Sequence, residues 1–245
     1  ELPDGQLRHF PAHFTTPEAP QVQETLRDMV GAGAQAVVLE ASSHALALHR
    51  VRAVDWDVAV WTHLTSEHLD FHGTVEAYFA EKRKLVERAR FAVLNADDPL
   101  VAAMSERVTS GEVQYFSLDA DRAVRDESVT AWAEDLSLDE AGRARFTVAV
   151  RGQGGTERHP VHLRVRGAHM AANALAVLLA VRHVGMDTAD AVAALSRAEA
   201  ISRWRMEVTE RPDGVMVIND GYNANPESMR AALTALRDMA HGRRT

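Results

Sequence analysis

Apolar positions follow two rhythms along this chain, and the rhythm changes near its middle. Over residues 21–30, Val22, Leu26, Met29 and Val30 fall at i, i+4, i+7 and i+8, which puts them on one face of a helix. Gly31 and Gly33 follow as stop signals. Ala36, Val37, Val38 and Leu39 then form a short apolar run that reads as a buried strand. Residues 57–64 are a second strand candidate. Residues 74–88 return to the helical period, with Val75, Tyr78, Phe79, Lys82, Leu85 and Val86 in register. Residues 91–94 read as another short strand. Asp97, Asp98 and Pro99 then look like a helix start, with a carboxylate cap and a proline in the first turn. This succession of strand, loop and helix predicts a parallel α/β sheet.

The next stretch is different. Residues 113–118, 145–151 and 161–166 alternate in polarity around turn signals such as Arg151-Gly152-Gln153-Gly154-Gly155. They read as antiparallel strands. Residues 170–184 and 188–198 are Ala-rich helices, and 215–218 is one more buried strand. Residues 226–240 form a last helix with Met229, Ala232, Leu233 and Leu236 on one face. No internal repeat or low-complexity linker interrupts the pattern.

Composition narrows the function. The 245 residues are 46% hydrophobic and 25% charged, enough for one large core or for one domain and part of another. A net charge of -8 argues against a general nucleic-acid binder, which needs a basic surface. The chain has no cysteine, so neither a disulfide framework nor thiolate chemistry is open to it. No apolar run reaches the roughly 18 residues that a membrane span requires. The first residues carry neither a basic stretch nor an apolar core, so no signal peptide is expected there, and the chain does not start with Met.

Four local features offer chemistry. Thr15-Thr16-Pro17-Glu18 is by pattern a capping box, a hydroxyl answered by Glu18. Glu40-Ala41-Ser42-Ser43-His44 directly follows the first strand candidate. It is either a polar turn or part of the crevice that forms beyond strand ends in open α/β sheets. His68-Leu69-Asp70-Phe71-His72 follows the next strand and carries metal-type ligands, although structural histidines are common. Asn219-Asp220-Gly221-Tyr222-Asn223-Ala224-Asn225-Pro226 lies between a strand and a helix. It reads as a capped polar turn or as a loop able to embrace a nucleoside. No G-x-x-x-x-G-K-[ST] phosphate loop occurs, and Gly31-Ala32-Gly33 merely ends a helix.

Together these segments resemble the Mur ligase family over nearly the whole chain. Residues 1–88 resemble its UDP-N-acetylmuramoyl-tripeptide synthetase branch (MurE type). The carriers are Thr15-Thr16-Pro17-Glu18, Glu40 with Ser42-Ser43-His44-Ala45-Leu46, His49-Arg50-Val51, His68-Leu69-Asp70-Phe71-His72-Gly73, and Tyr78 with Lys82. Residues 89–245 resemble its D-alanyl-D-alanine-adding branch (MurF type). Here the carriers are Asn95-Ala96-Asp97-Asp98-Pro99, Gly167-Ala168-His169 with Asn173-Ala174-Leu175, Arg203-Trp204-Arg205-Met206-Glu207, and residues 217–226. The switch falls near residues 87–91.

The resemblance implies an α/β fold: a mostly parallel sheet flanked by helices plus a small antiparallel sheet. It divides the chain into a central, ATP-binding domain over 1–218 and a hinge with the first helix of a C-terminal domain over 219–245. It implies ATP-dependent amide formation in peptidoglycan precursor synthesis. A UDP-N-acetylmuramoyl-peptide would be joined through an acyl phosphate to an amino acid (MurE type) or to D-Ala-D-Ala (MurF type). ATP and Mg2+ would be the cofactors, and the protein a cytoplasmic monomer. Thr15, Thr16, Ser42, Ser43 and Arg50 would hold the UDP-muramoyl-peptide. Glu40 and His68 would ligate magnesium, and Lys82 would be carbamylated to help fix a second ion. His169, Asn173 and Arg205 would lie near the nucleotide, with Asp220 and Asn223 flanking ribose and adenine. The chain departs from the pattern at Thr65-Ser66-Glu67, where Ser-Arg-Asp is usual, and at Met170, where a second Asn is usual. The family's phosphate loop is expected before Glu1 and most of its amine-selecting domain after Pro226, so little ligase activity is expected of this chain alone. Two other readings are a metal-dependent hydrolase using Glu40, His68, Asp70 and His72, and a non-catalytic protein that binds the UDP-sugar.

Overall fold

The computed structural model describes residues 14–65, 67–108, 111–200 and 204–240. The readings made on the first and last residues lie outside this range, as do Ser66 and Arg203 of the quoted motifs. Helices α1 (Ala19–Gly31) and α2 (Ser43–Ala47) precede strand β1 (Val58–Trp61). Then follow α3 (Leu69–His72), α4 (Val75–Arg88), β2 (Phe91–Asn95), α5 (Pro99–Ala102), β3 (Glu112–Ser117), α6 (Ala120–Arg125) and β4 (Val129–Leu138). Strands β5 (Arg143–Gly152) and β6 (Gly155–Arg166) lead to α7 (His169–His183) and α8 (Thr188–Arg197). The chain continues through β7 (Glu207–Glu210) and β8 (Met216–Asn219) to α9 (Pro226–Ala240). No helix among the described residues is long and apolar enough to cross a membrane.

Strands β1 to β6 form one sheet in chain order. The first four are parallel, each step crossing through helix, and β4, β5 and β6 are antiparallel. Strand β2 shows why an unbroken apolar run marks the centre of such a sheet. Its Phe91 and Val93 enter the core under α7 and α8, while Ala92 and Leu94 enter a second core with Tyr78, Val86 and Val101. Both faces are covered, so both sets of alternating side chains must be apolar. The two cores hold the sheet between helical layers, and its parallel-strand ends are left to carry the loops of the site.

Helix α4 brings one polar group into this packing. Thr74 caps it, its hydroxyl accepting from the Ala77 N–H at 3.1 Å. Glu76 in the first turn and Arg88 in the last complement the helix dipole. Tyr78 and Val86 are buried at i−4 and i+4 from Lys82, so Lys82 lies on the inward stripe rather than the wet face.

Three sequence expectations are corrected. Residues 36–39 form no strand. Val38 is 100% exposed and Val37 41%, and no ladder pairs the segment among the described residues. Apolarity alone does not make a strand without a hydrogen-bonded neighbour. Strand β3, expected as antiparallel, runs parallel to both β2 and β4. Alternation reports exposure, not direction, and the helices α5 and α6 on either side supply the crossovers that make it parallel. Strand β8, expected as buried, pairs only with β7 in a separate two-stranded sheet and leaves Val217 43% exposed. Strand β4 and helix α6 were not anticipated. The observed sheet is nevertheless mostly parallel and flanked by helices; the antiparallel strands expected at 145–151 and 161–166 extend it as β5 and β6, and the small antiparallel sheet is the β7–β8 pair.

Candidate functional site

The first half of the site is knotted together by Thr16. Helix α1 is capped not by a threonine but by Glu18, whose N–H donates to Gln21 Oε1 at 3.3 Å. This frees Thr16, fully buried, for other bonds: its hydroxyl donates to the Glu40 carbonyl at 2.7 Å and accepts from the Ser42 N–H at 3.0 Å. Arg50 closes the knot, pairing with Glu18 at 2.7 Å, donating to the Thr16 carbonyl at 3.1 Å and lying over the Phe14 ring. Ser42 caps α2 through the Ala45 N–H at 3.2 Å. Thr15 and the Glu40 carboxylate face outward from this frame.

Beyond α2 comes a cluster of rings. Ser43 is buried, and its Oγ lies 3.0 Å from His72 Nε2. The His44 ring sits 4.3 Å from Phe71, 4.7 Å from His68 and 5.5 Å from His72. Burial lowers the pKa of both His44 and His72, and repulsion from the neighbouring imidazoles adds to it. His68 holds a left-handed backbone, φ 55°, as the cap of α3, which turns the chain sharply between the end of β1 and α4.

Lys82 faces this cluster from α4, its ammonium 5.4 Å from the Tyr78 ring centroid. Burial lowers its pKa, while the carboxylates of Glu67 and Glu40 pull it back up. Burial, with Glu67 beside it, raises Tyr78 to about 12. Sequence reasoning passed over Glu67 except as a departure from the family's aspartate. Its importance comes from contacts that no local spacing signals.

The Asn95-Ala96-Asp97-Asp98-Pro99 segment is scaffolding for these loops. Asn95 donates to the Thr62 carbonyl at 2.8 Å. Asp97 accepts from Ser117 at 2.6 Å and from the Leu118 N–H at 2.7 Å. Buried Asp98 caps α5, accepts from the Leu64 N–H at 2.9 Å and meets His63 at 2.8 Å. The loops after β1, β2 and β3 are thus stitched to one another.

The second half of the site lies at α7 and the hinge. Gly167 has φ +103°, and a Cβ there would come within 2.5 Å of the His169 ring, so glycine is required for the ring to lie back over the turn. Desolvation lowers the pKa of His169, although the residue as a whole is exposed, and Asp220 opposes the shift. Asn173 leans its amide on the Met170 sulfur at 3.6 Å, a weak acceptor in the place of the expected second Asn. The Arg205 guanidinium stacks 4.1 Å from the centroid of Tyr222, whose ring is half exposed. Asp220 accepts from the Met206 N–H at 3.0 Å and so pins the two strands of the hinge together. Asn223 reaches out of this group to Glu67 at 3.5 Å.

The expected residues thus gather as two groups. Glu40, Ser42, Ser43, Arg50, His68 and Lys82 surround the first loops, with Thr15 and Thr16 beside them. His169, Asn173, Arg205, Asp220 and Asn223 surround the start of α7 and the hinge. Among the described residues no three His, Asp or Glu side chains are arranged to hold a metal. Lys82 lies within the electrostatic reach of Glu40 and Glu67, and as an ammonium it has no lone pair to offer a cation.

Residues 4–181 match the Mur ligase middle domain. Residues 204–245 match the Mur ligase glutamate ligase domain. The chain is 50% identical over 245 residues to a UDP-N-acetylmuramyl-tripeptide synthetase of Deinococcus radiodurans, covering 99% of this chain and 46% of that protein. It is 40% identical over 187 residues to a UDP-N-acetylmuramoyl-tripeptide–D-alanyl-D-alanine ligase of Mycobacterium tuberculosis, covering 75% of this chain and 34% of that one. A solved UDP-N-acetylmuramoyl-L-alanyl-D-glutamate–2,6-diaminopimelate ligase superposes with TM-score 0.72 at 28% identity, covering 90% of this chain and 44% of that chain. The chain thus spans less than half the length of these relatives. The match to the Deinococcus relative covers both sides of residues 87–91. By the match over most of its length, this chain belongs to the Mur ligase family.

Proposed function

We propose that the protein carrying this chain is an ATP-dependent amide ligase that adds an amino acid to a UDP-N-acetylmuramoyl-peptide, the MurE-type reaction, in the cytoplasm. The observation that carries this reading is Lys82. An inward-facing lysine whose pKa is lowered by burial, against the opposing fields of Glu67 and Glu40, gives up its proton more readily than a surface lysine, as reaction with CO2 requires. A lysine needed only for solubility would face the wet side of α4.

In the proposed reaction an oxygen of the acceptor carboxylate attacks the γ-phosphorus of ATP. The bond to the bridging oxygen breaks and ADP leaves, giving an acyl phosphate. The incoming amine attacks the carbonyl carbon and loses a proton, and inorganic phosphate departs as the amide forms. Thr15, Ser42 and Arg50 would orient the acceptor. Thr16, with its hydroxyl fully engaged, and Ser43, bonded to His72, would fix those residues in place. His169, Asn173, Arg205, Asp220 and Asn223 would bind the nucleotide, the Arg205–Tyr222 stack offering a flat face to adenine. Glu40 and His68, with carbamylated Lys82, would hold Mg2+, which supplies neutralisation of the charge on the transferring phosphoryl group.

MurE-type chemistry is preferred because the tripeptide-synthetase relative matches 99% of the chain. The MurF-type alternative draws on the resemblance over residues 89–245, the longer part of the chain. The acyl phosphate can be traced with an acceptor carrying 18O in its free carboxylate. One labelled oxygen is expected in each inorganic phosphate released. Unlabelled phosphate would overturn the mechanism. ATP-independent hydrolysis would favour the metal-hydrolase reading, and substrate binding without turnover the non-catalytic one.

A further inference from the structure

We infer that Glu67 is a positioning residue, a latch that holds the hinge loop and the start of α9 against the loop carrying His68. Glu67 Oε1 accepts from the side-chain amides of both Asn225, in a short contact, and Asn223, at 3.5 Å, across 158 and 156 positions of chain. The opposite end of the Asn225 side chain is also engaged. Its Oδ1 accepts from the Ser228 N–H at 2.8 Å, and its carbonyl accepts from the Met229 N–H at 2.9 Å. Asn225 therefore caps α9 with its oxygen while its nitrogen is held by Glu67. One planar amide, gripped at both ends, fixes how the first turn of α9 sits on the loop after β1.

The other end of the latch is equally constrained. Glu67 immediately precedes His68, whose left-handed backbone caps α3. The same carboxylate acts on Tyr78 and Lys82 of α4. A single side chain thus touches the hinge and faces the lysine. Aspartate, usual at this place in the family, is one methylene shorter. The proposal rests on the ligase reading only for what is being positioned; the contact itself does not depend on it.

The test is hydrogen exchange of the full chain, which needs no turnover. Glu67→Ala removes the acceptor. Asn225→Asp keeps the oxygen that caps α9 but replaces the donated amide with a second carboxylate, so a role in capping alone would leave it unaffected. Each variant is expected to speed exchange in the first turn of α9 by about tenfold, as for loss of one charge-assisted bond, with β2 unchanged. The exchanged pair Glu67→Gln with Asn225→Asp restores a donor facing an acceptor and should return exchange to near the wild-type rate. Unchanged exchange in Glu67→Ala, or failure of the exchanged pair to restore it, overturns the proposal. If Glu67→Ala also loosens β2, the exchanged pair decides on the same terms. A failed ligase assay would leave this outcome untouched, so the two readings can fail separately.

Discussion

At the scale of single residues, Lys82 shows how burial changes a common surface group. Its methylene stem shares the inward stripe of α4 with Tyr78 and Val86, and its ammonium is charged only against the cost of desolvation. Lys82→Met keeps the stem and removes the amine. Its stability in urea is expected to stay within about 1 kcal/mol of wild type or to rise, because a buried charge is lost. Ligase turnover should nevertheless fall about 10²–10³-fold, the range for losing one preorganised group that acts on developing charge. Retained turnover would remove Lys82 from the proposed chemistry. Thr16 and Asp98 work differently. Each is a buried polar side chain with several partners, and each fixes a loop rather than offering itself to a ligand.

At the scale of elements, the β4–β5 turn is an electrostatic device. Burial alone would raise the pKa of Asp139. Bonds from the Arg143 N–H at 2.9 Å, the Arg143 guanidinium at 2.8 Å and the Ala141 N–H at 3.0 Å overcome this and leave it below the ordinary value. Glu134, bonded by Arg158 and Trp132, and Asp126, bonded by Ser128, are lowered as well. A carboxylate lowered in the folded state stabilises it fully above its ordinary pKa of about 4, and the gain is lost as pH falls through the folded value. Asp139→Asn is expected to cost about 1–3 kcal/mol at pH 7 and to flatten the loss of stability between pH 5 and pH 3. Urea titrations across that range check both effects; a slope equal to wild type would mean that Asp139 contributes nothing by its charge.

Elements also show what could be read in advance. The helical spacing of Tyr78 and Val86 located the buried stripe of α4, and Asp98-Pro99 marked the start of α5, because both signals are local; for Lys82 spacing alone favoured a surface position, and only the family resemblance pointed inward. The direction of β3 was hidden, since alternation encodes exposure and not the partner's polarity. The run at 36–39 misled because an apolar segment becomes a strand only with a ladder partner. The placement of individual site residues came from the family resemblance rather than from spacing. The Glu67 contact to Asn223 and Asn225 was invisible, because its partners stand more than 150 positions apart.

At the scale of the whole molecule, α9 is held at both ends. Its first turn meets Glu67, and near its last turn Met239 is buried against the β4–β5 turn, where a Cβ on Gly142 would lie 3.0 Å from the Met239 side chain. The hinge is therefore tied to the sheet from two directions. Asp220 also lies within electrostatic reach of His169 beside the proposed nucleotide site. Such an arrangement suits a reaction in which acceptor, phosphoryl donor and amine must meet in one geometry. The most direct measurement supplies the protein carrying this sequence with ATP, Mg2+ and a panel of amino acids and D-Ala-D-Ala. UDP-N-acetylmuramoyl-dipeptide and UDP-N-acetylmuramoyl-tripeptide are offered separately as acceptors, and products are read by mass. The account predicts ATP-dependent condensation of the dipeptide acceptor with a single amino acid, one ADP appearing for each amide. Condensation only of the tripeptide acceptor with D-Ala-D-Ala, or ATP consumption with no amide formed, would contradict it.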